Sequence, residues 1–397
     1  MTIEMEKQCM KFEMTNRVST IKYAIRDLVV LAKKEERKGK KILYLNIGDP
    51  IKYDFTPPKA IQTGLKKYAH CGDYADSQGV IELREEVAKW ETEKRSPVTP
   101  DDILIGNGVS EGINFLFGAF INKGDEVLIP NPVYPPYIAY SNFSEAKPVL
   151  FNCAEEKDWQ PDVENLKEKI SPKSRLLVLI NPNNPTGAVC EKKTLKAIRD
   201  LAYDHNLLVI SDETYDKLVF DRPMTPFAEV ADGMPFVSMN GFSKVFLVPG
   251  YRVGYSCFHH DNGELEAVKE GMLKQARVRL CINTPAQRAC AYVLTQSKDF
   301  IAETVKRLRE RRDFCYKRLN SIDGISTRKP EGAFYMFPKI EGKNDVEWVI
   351  NLLKQKEVLV VYGSGFGKSE HFRIVLLPPK DTLEEAFDRI EDYMAGR

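Results

Sequence analysis

The chain has 397 residues, with 58 Lys and Arg against 57 Asp and Glu and a formal net charge of +1. That length holds one large core or two domains, and the charge balance favours neither nucleic acid nor an anionic membrane surface as a partner. No apolar run approaches a membrane span, the longest stretches such as 112–121 and 176–180 being core-sized.

The first residues, MTIEMEKQCMKFEM, alternate charge with apolar groups and lack the uninterrupted apolar region of a signal peptide. The spacing predicts a helix over 20–37 with Ile21, Ala24, Ile25, Leu28, Leu31 and Ala32 on its apolar side. Its lysine-rich continuation, 33–41, reads as a solvated end. A strand over 42–47 leads into Gly48-Asp49-Pro50. Short apolar strands follow at 103–105, 126–129, 176–180, 207–210, 236–239 and 253–258, with helical patterns between several of them, such as 195–204. This alternation predicts an α/β fold with a mostly parallel sheet covered by helices. In such sheets ligands sit beyond the carboxyl ends of the strands. The C-terminal part carries a long charged helix over 299–319 and short strands at 333–337, 358–361 and 372–376. The expected organisation is a large domain over 61–295 and a smaller α/β domain built from 1–60 and 296–397. Eight scattered cysteines without a CxxC pair fit free thiols in a reducing cytoplasm. His259 and His260 have no ligand-spaced partners, so no metal site is expected.

The segment GFSKVFLVPGYRVG (241–254) places Lys244 between small residues and Arg252 eight positions on, across an apolar linker. A lysine amine can form a Schiff base with a carbonyl, and an arginine fork suits a phosphate. Alone, the pair reads equally as a surface lysine and a structural arginine. Other segments change that balance. NPNNPTG (181–187) follows the strand 176–180; its prolines fix the backbone and its asparagines offer amide groups, although any single NP pair is an ordinary turn. Asp212, in SDETY, is the first carboxylate past an apolar run, so burial and a cationic partner are expected. A pyridinium nitrogen would be such a partner, with Tyr215 in reach of a ring hydroxyl. The competing reading of Asp212 is a strand-end helix cap. IGNGVSEGINF (105–115) is a strand, a glycine turn and a helix start. The free amides of Val109 and Ser110, with the Ser110 hydroxyl, form a phosphate cradle or a plain cap. PNPVYPPY offers Tyr134 as a plate for a ring to stack on, or as a core aromatic.

Taken together, the chain resembles the fold-type I, class I/II aminotransferases that use pyridoxal 5'-phosphate, essentially end to end. Within that group it looks most like the archaeal alanine aminotransferases, through LNIGDP, NPNNPTGA, MNGFSKVFLVPGYRVGY, RLCINTPAQ, KPEGAFYMFPKI and GSGFG. The resemblance implies that Lys244 carries the cofactor and shuttles the proton, and that Asp212 pairs with the pyridine nitrogen. Asn184 and Tyr215 would hold the ring hydroxyl, and Tyr134 would stack on the ring. Val109, Ser110, Ser243 and Arg252 would hold the phosphate, joined by Tyr74 from a neighbouring subunit of a homodimer. Arg373, in HFRIVLLPP, would grip the substrate α-carboxylate with help from the Gly48 backbone and so direct the chemistry to the α-C–H bond. On residues alone Arg373 reads equally as an inward arginine paired with an acid. Many relatives carry a phosphate-binding serine three residues before the lysine; here that position is Gly241, a glycine that the alanine-type subgroup shares.

The implied reaction is a ping-pong transamination between an L-amino acid, alanine favoured, and 2-oxoglutarate. Lys244, with an ordinary pKa of about 10.4, must be depressed to act as a base, and repulsion from the pyridinium and Arg252 is expected to help. Arg277 and Arg279 are candidates for a distal carboxylate, with surface ion pairing the competing reading, for Arg277 above all. Aspartate, aromatic or broad specificity stays open. A carbon–sulfur lyase would share every cofactor residue. A sensing regulator would need a DNA-binding domain, for which no segment before Thr20 or after Arg397 is expected, and a non-catalytic binder would have lost Lys244 or Asp212.

Overall fold

A computed structural model of the chain describes residues 12–19, 21, 24–94 and 97–397. The strands in chain order are β1 (Leu43–Tyr44), β2 (Ile103–Asn107), β3 (Glu126–Asn131), β4 (Lys147–Ala154), β5 (Gln160–Pro161), β6 (Ser174–Ile180), β7 (Leu208–Asp212), β8 (Phe236–Gly241) and β9 (Val253–His259). The last eight form one sheet in the order β2-β9-β8-β7-β6-β3-β4-β5. The ladders β3–β4, β3–β6, β6–β7 and β7–β8 are parallel. β9 runs antiparallel to both β2 and β8, and β5 runs antiparallel to β4.

Alternate residues of the central strands feed two apolar layers. Leu176, Val178 and Ile180 pack with Ile113, Leu116 and Phe117 of the Val109–Phe120 helix. Leu177 and Leu179 pack with Leu195, Ile198 and Ala202 of the Lys192–Asp204 helix. Burial on both faces is why β6 reads as an unbroken apolar run. Each of these side chains contributes about 1.5–3 kcal/mol by leaving water. β4 escaped the sequence reading because it opens on Lys147-Pro148 and much of it is only half-buried, so no uniform apolar run marks it.

Both ends of the chain meet beside this sheet. The later strands are β10 (Ile325–Ser326), β11 (Tyr335–Met336), β12 (Lys339–Ile340), β13 (Val358–Leu359), β14 (Val361–Tyr362) and β15 (Phe372–Val375). β1 pairs in parallel with β13, and β11, β15 and β14 make an antiparallel three-stranded sheet. The expected strand 42–47 is thus reduced to a two-residue ladder. The helix Ala24–Glu36 buries Ala24, Ile25, Leu28 and Ala32 as its spacing predicts, while Ile21 lies outside it and is exposed. Thr20, where that helix was expected to begin, lies outside the described residues. The charged helix Asp299–Leu319 has the expected bounds. No helix among the described residues is long and apolar enough to cross a membrane, and no cluster of metal-ligating side chains is present among them.

Candidate active site

The residues just past the carboxyl ends of β2, β3, β6, β7 and β8 line one cavity of about 550 Å3, where an open sheet places its ligands. Lys244, three residues past β8, points into it, and its Nζ donates to the Gly48 carbonyl at 2.7 Å. Its side chain is half-buried at the cavity wall. Desolvation is the largest influence and pulls the ammonium down to about 8; Asp49 opposes it, and Arg373, Arg252 and Arg26 assist. Depression with help from Arg252 was expected and is seen, and the larger influence, loss of water, was not singled out from the sequence.

Asp212 ends β7 and is buried. The Tyr137 hydroxyl donates to its Oδ2 at 2.9 Å, and the Thr214 hydroxyl and amide donate to Oδ1 at 2.6 and 3.2 Å. Burial raises its pKa and these bonds hold the rise back. The chain after it forms a turn rather than a helix, so Asp212 is not a helix cap. The Tyr215 hydroxyl meets that of Tyr335 at 2.9 Å. Arg373, 1% exposed, donates to Asn184 Oδ1 at 2.9 Å and to the Asn46 carbonyl at 2.6 Å. Its guanidinium lies over the Tyr335 and Phe366 rings, 4.5 and 4.7 Å from their centroids, and its Nε has no hydrogen-bond partner. Among the described residues no acid pairs with Arg373, so the reading as a structural ion pair fails.

The Val109–Phe120 helix opens on the cavity with Val109 and Ser110, after Gly108 at φ +76°. A Cβ at Gly108 would lie 2.3 Å from Arg252 Nη2, and one at Gly254 would lie 2.6 Å from the Val109 amide nitrogen. Glycine at both positions leaves room for a cradle of amides and a guanidinium. Arg252, itself at φ +57°, donates to the carbonyls of Pro249 and Asn107 at 3.0 and 3.1 Å. A Cβ at Gly241 would lie 2.9 Å from Gly254 Cα and 3.0 Å from the Val253 carbonyl, so the tight β8–β9 pair leaves little space for a side chain there. Tyr134, Ser243 and Asn184 complete the lining expected from the sequence.

Residues 40–390 match the family model of aminotransferase class I and II. The chain belongs to that family. It is 37% identical to glutamate-pyruvate aminotransferase AlaA of Escherichia coli, over 97% of this chain and 98% of that protein. It is 33% identical to aspartate aminotransferase of Thermotoga maritima, over 94% and 96%. Among solved structures, alanine aminotransferase from Pyrococcus furiosus superposes with a TM-score of 0.95 at 44% identity, over 97% of this chain and all of that one. The expected fold type I architecture therefore holds.

Several groups at this cavity were not singled out by sequence reasoning. Tyr137 and Thr214 bond Asp212, and Tyr335 bonds Tyr215. Tyr137 stands in the same PNPVYPPY string as Tyr134, so an aromatic three residues on was the available signal. Arg26 and Lys52 line the cavity from the N-terminal segment; an amphipathic helix and the short 3-10 helix Pro50–Lys52 carry them, and neither pattern flags a ligand. Arg277 and Arg279 do not line the cavity of this chain. Arg277 makes an exposed ion pair with Glu270 at 2.8 Å, and Arg279 donates to the Ser77 and Ile105 carbonyls at 3.3 Å each. Tyr74 lies outside the lining, 82% exposed.

Proposed function

We propose that the cavity binds pyridoxal 5'-phosphate and that the protein transfers an amino group from an L-amino acid, L-alanine first, to 2-oxoglutarate in two half-reactions. The observation that carries this reading is the convergence of Lys244, buried Asp212 and buried Arg373 on one cavity. The residues fit the cofactor. Asp212 is a buried carboxylate without a cationic partner among the described residues, as a pyridinium nitrogen requires. The glycine-lined cradle of Val109, Ser110, Ser243 and Arg252 suits a dianionic phosphate. Tyr134 supplies a ring face, and Asn184 and Tyr215 polar groups for the ring hydroxyl. We assign the cofactor to a large domain over 61–295, with 1–60 and 296–397 forming the small domain that brings Gly48 and Arg373.

Bound there, the cofactor supplies an electron sink for negative charge at the substrate α-carbon. The protein's own part is binding and proton transfer. Arg373 holds the α-carboxylate through its fork, the Nε included, and leaves the α-C–H bond facing Lys244. With its pKa brought down to about 8, Lys244 has a neutral amine to take that proton and return it at a pH well below that of an ordinary lysine. Arg26 and Lys52 supply cations for the distal carboxylate of 2-oxoglutarate or glutamate.

The alanine assignment rests on the relatives named glutamate-pyruvate and alanine aminotransferase. The similar aspartate aminotransferase, together with Arg26 and Lys52, favours aspartate as the second reading. A homodimer with shared sites is part of the proposal, supported by exposed Tyr74 and by Val278, 87% exposed. The seven cysteines among the described residues are free thiols, which supports a cytoplasmic location.

The test is a half-reaction. The cofactor-loaded protein is mixed with single amino acids, without an oxo acid, and its visible spectrum is followed. Conversion to the aminated cofactor by alanine or glutamate is the expected result, and the order of amino acids gives the specificity. With cysteine or another amino acid that carries a sulfur leaving group, a persistent band with accumulating pyruvate, ammonia and the released thiol or sulfide would instead identify a carbon–sulfur lyase.

A further inference from the structure

Directly behind the Asp212–Tyr215 turn lies a second set of charges that transamination leaves unused. Lys94, 7% exposed, follows the Ile81–Thr92 helix. Its ammonium lies 2.9 Å from Glu91, 3.2 Å from Glu213 and 2.9 Å from Asp216, all buried. Asp212 and Tyr215 line the cavity, while Glu213 and Asp216, one residue further along in each case, pair with Lys94. The turn therefore has a cavity face and a lysine face.

We propose that Lys94 is a positioning residue that pins the Asp212–Tyr215 turn from behind and so sets the place and the electrostatic surroundings of the two groups that meet the cofactor ring. This rests on the cofactor reading above. The backbone of the turn is bonded to the strands beside it and to itself, through Asn181 N to the Asp212 carbonyl at 2.9 Å, Glu213 N to the Met239 carbonyl at 2.8 Å, Asp216 N to the Glu213 carbonyl at 2.9 Å, Leu218 N to the Tyr215 carbonyl at 2.8 Å and Thr214 N to Asp212 Oδ1 at 3.2 Å, and none of these bonds reaches the Ile81–Thr92 helix. The lysine ties that turn to a helix more than a hundred residues earlier in the chain. Three further hydrogen bonds complete the cluster. Ser211 Oγ and the Phe227 amide donate to Glu213 Oε1 at 3.0 Å each, and the Tyr255 hydroxyl donates to Glu91 at 2.6 Å. Asp216 Oδ2 has no hydrogen bond of good geometry, only its ion contact with Lys94.

One cation thus faces three buried carboxylates, and removing it would leave them uncompensated. Burial raises Glu213, with Lys94 the main opposing influence. Around Lys94 the facing groups are Glu91 from the helix, Glu213 and Asp216 from the turn, and Tyr255 from β9, with Cys257 and His259 of β9 in electrostatic reach. On the cavity side Asp212 is faced by Tyr137, Thr214 and Tyr215.

The experiment uses wild-type protein, Lys94→Met and Asp216→Asn, each titrated with pyridoxal 5'-phosphate and then scanned for the pH at which the visible band half-titrates. Lys94→Met is expected to bind the cofactor about tenfold more weakly, since breaking a buried pair strands its partners. Loss of a cation should move the half-titration pH up by about half a unit, and loss of an anion in Asp216→Asn should move it down by a similar amount. Opposite signs mark a charge effect that loosened packing would not produce. Affinities within twofold of wild type with an unmoved midpoint, or shifts of the same sign in both variants, overturn the proposal. If Lys94→Met does not fold, an unmoved midpoint in Asp216→Asn overturns it alone. A wild-type protein that takes up no cofactor sinks the parent reading, and that is seen before any variant is made.

Discussion

At the scale of single residues the site is governed by desolvation. Lys244 is brought down from 10.5 to about 8, so the folded apoprotein disfavours its charge while the unfolded chain does not. Below pH 8 both states hold the proton and the folded state bears the full penalty. Between pH 8 and 10.5 the folded lysine has lost its proton and the unfolded one keeps it, so stability from this group rises with pH. Lys244→Met should therefore raise the urea midpoint of the apoprotein at pH 7, while Lys244→Ala lowers transamination by at least about a hundredfold, the usual contribution of a positioned proton-transfer group. An alanine variant with near-wild-type turnover would remove Lys244 from the mechanism. Tyr137→Phe deletes the 2.9 Å bond to Asp212. Without it the carboxylate is harder to keep ionised, and cofactor affinity should fall roughly tenfold, as for loss of a hydrogen bond to a charged group worth about 1.5 kcal/mol. A fluorescence titration with pyridoxal 5'-phosphate reads this directly.

At the scale of elements the site is a set of strand ends. Two-sided burial made β2, β3, β6, β7 and β8 short apolar runs, and the first polar residues beyond them became the cavity wall. Asn184, Asp212 and Lys244 were legible for that reason. The helix that starts at Val109 adds its free amides only because Gly108 takes φ +76° without a side chain. Gly108→Ala combines an unfavourable left-handed backbone with a Cβ 2.3 Å from Arg252 Nη2. The arginine must move, and affinity for the cofactor should fall about tenfold, given roughly 1–2 kcal/mol for the backbone alone. Catalysis at saturating cofactor should change far less, because Lys244 and Arg373 stand elsewhere on the wall. An unchanged dissociation constant would show that the cradle does not hold the phosphate.

At the scale of the whole molecule the cavity closes only when both ends of the chain arrive. Gly48 and Arg373 come from opposite ends, and Lys244 Nζ and the Gly48 carbonyl are 196 positions apart in sequence. If Tyr74 completes the neighbouring site of a dimer, mixed Tyr74→Ala and Lys244→Ala subunits should recover about a quarter of wild-type activity, since half the dimers of a random two-fold mixture carry one intact site. Recovery no greater than the sum of the separate variants would show that each site is complete in one subunit. The sequence by itself determined the fold class and most residues of the cavity wall, because burial on two faces and glycine turns leave local marks. It also identified the family, through the order of its motifs. Only the tertiary structure decided which groups tune that wall. Tyr137 reaches Asp212 from 75 positions away, Tyr335 reaches Tyr215 from 120, and Lys94 reaches Glu213 from 119. The outward ion pair of Arg277 with Glu270 agrees with the sequence reading, whereas no local pattern shows that Lys244 is depressed chiefly by burial or that Arg26 lines the cavity. Desolvation and long-range contacts are properties of the packed chain, and periodicity records only which face of an element is apolar.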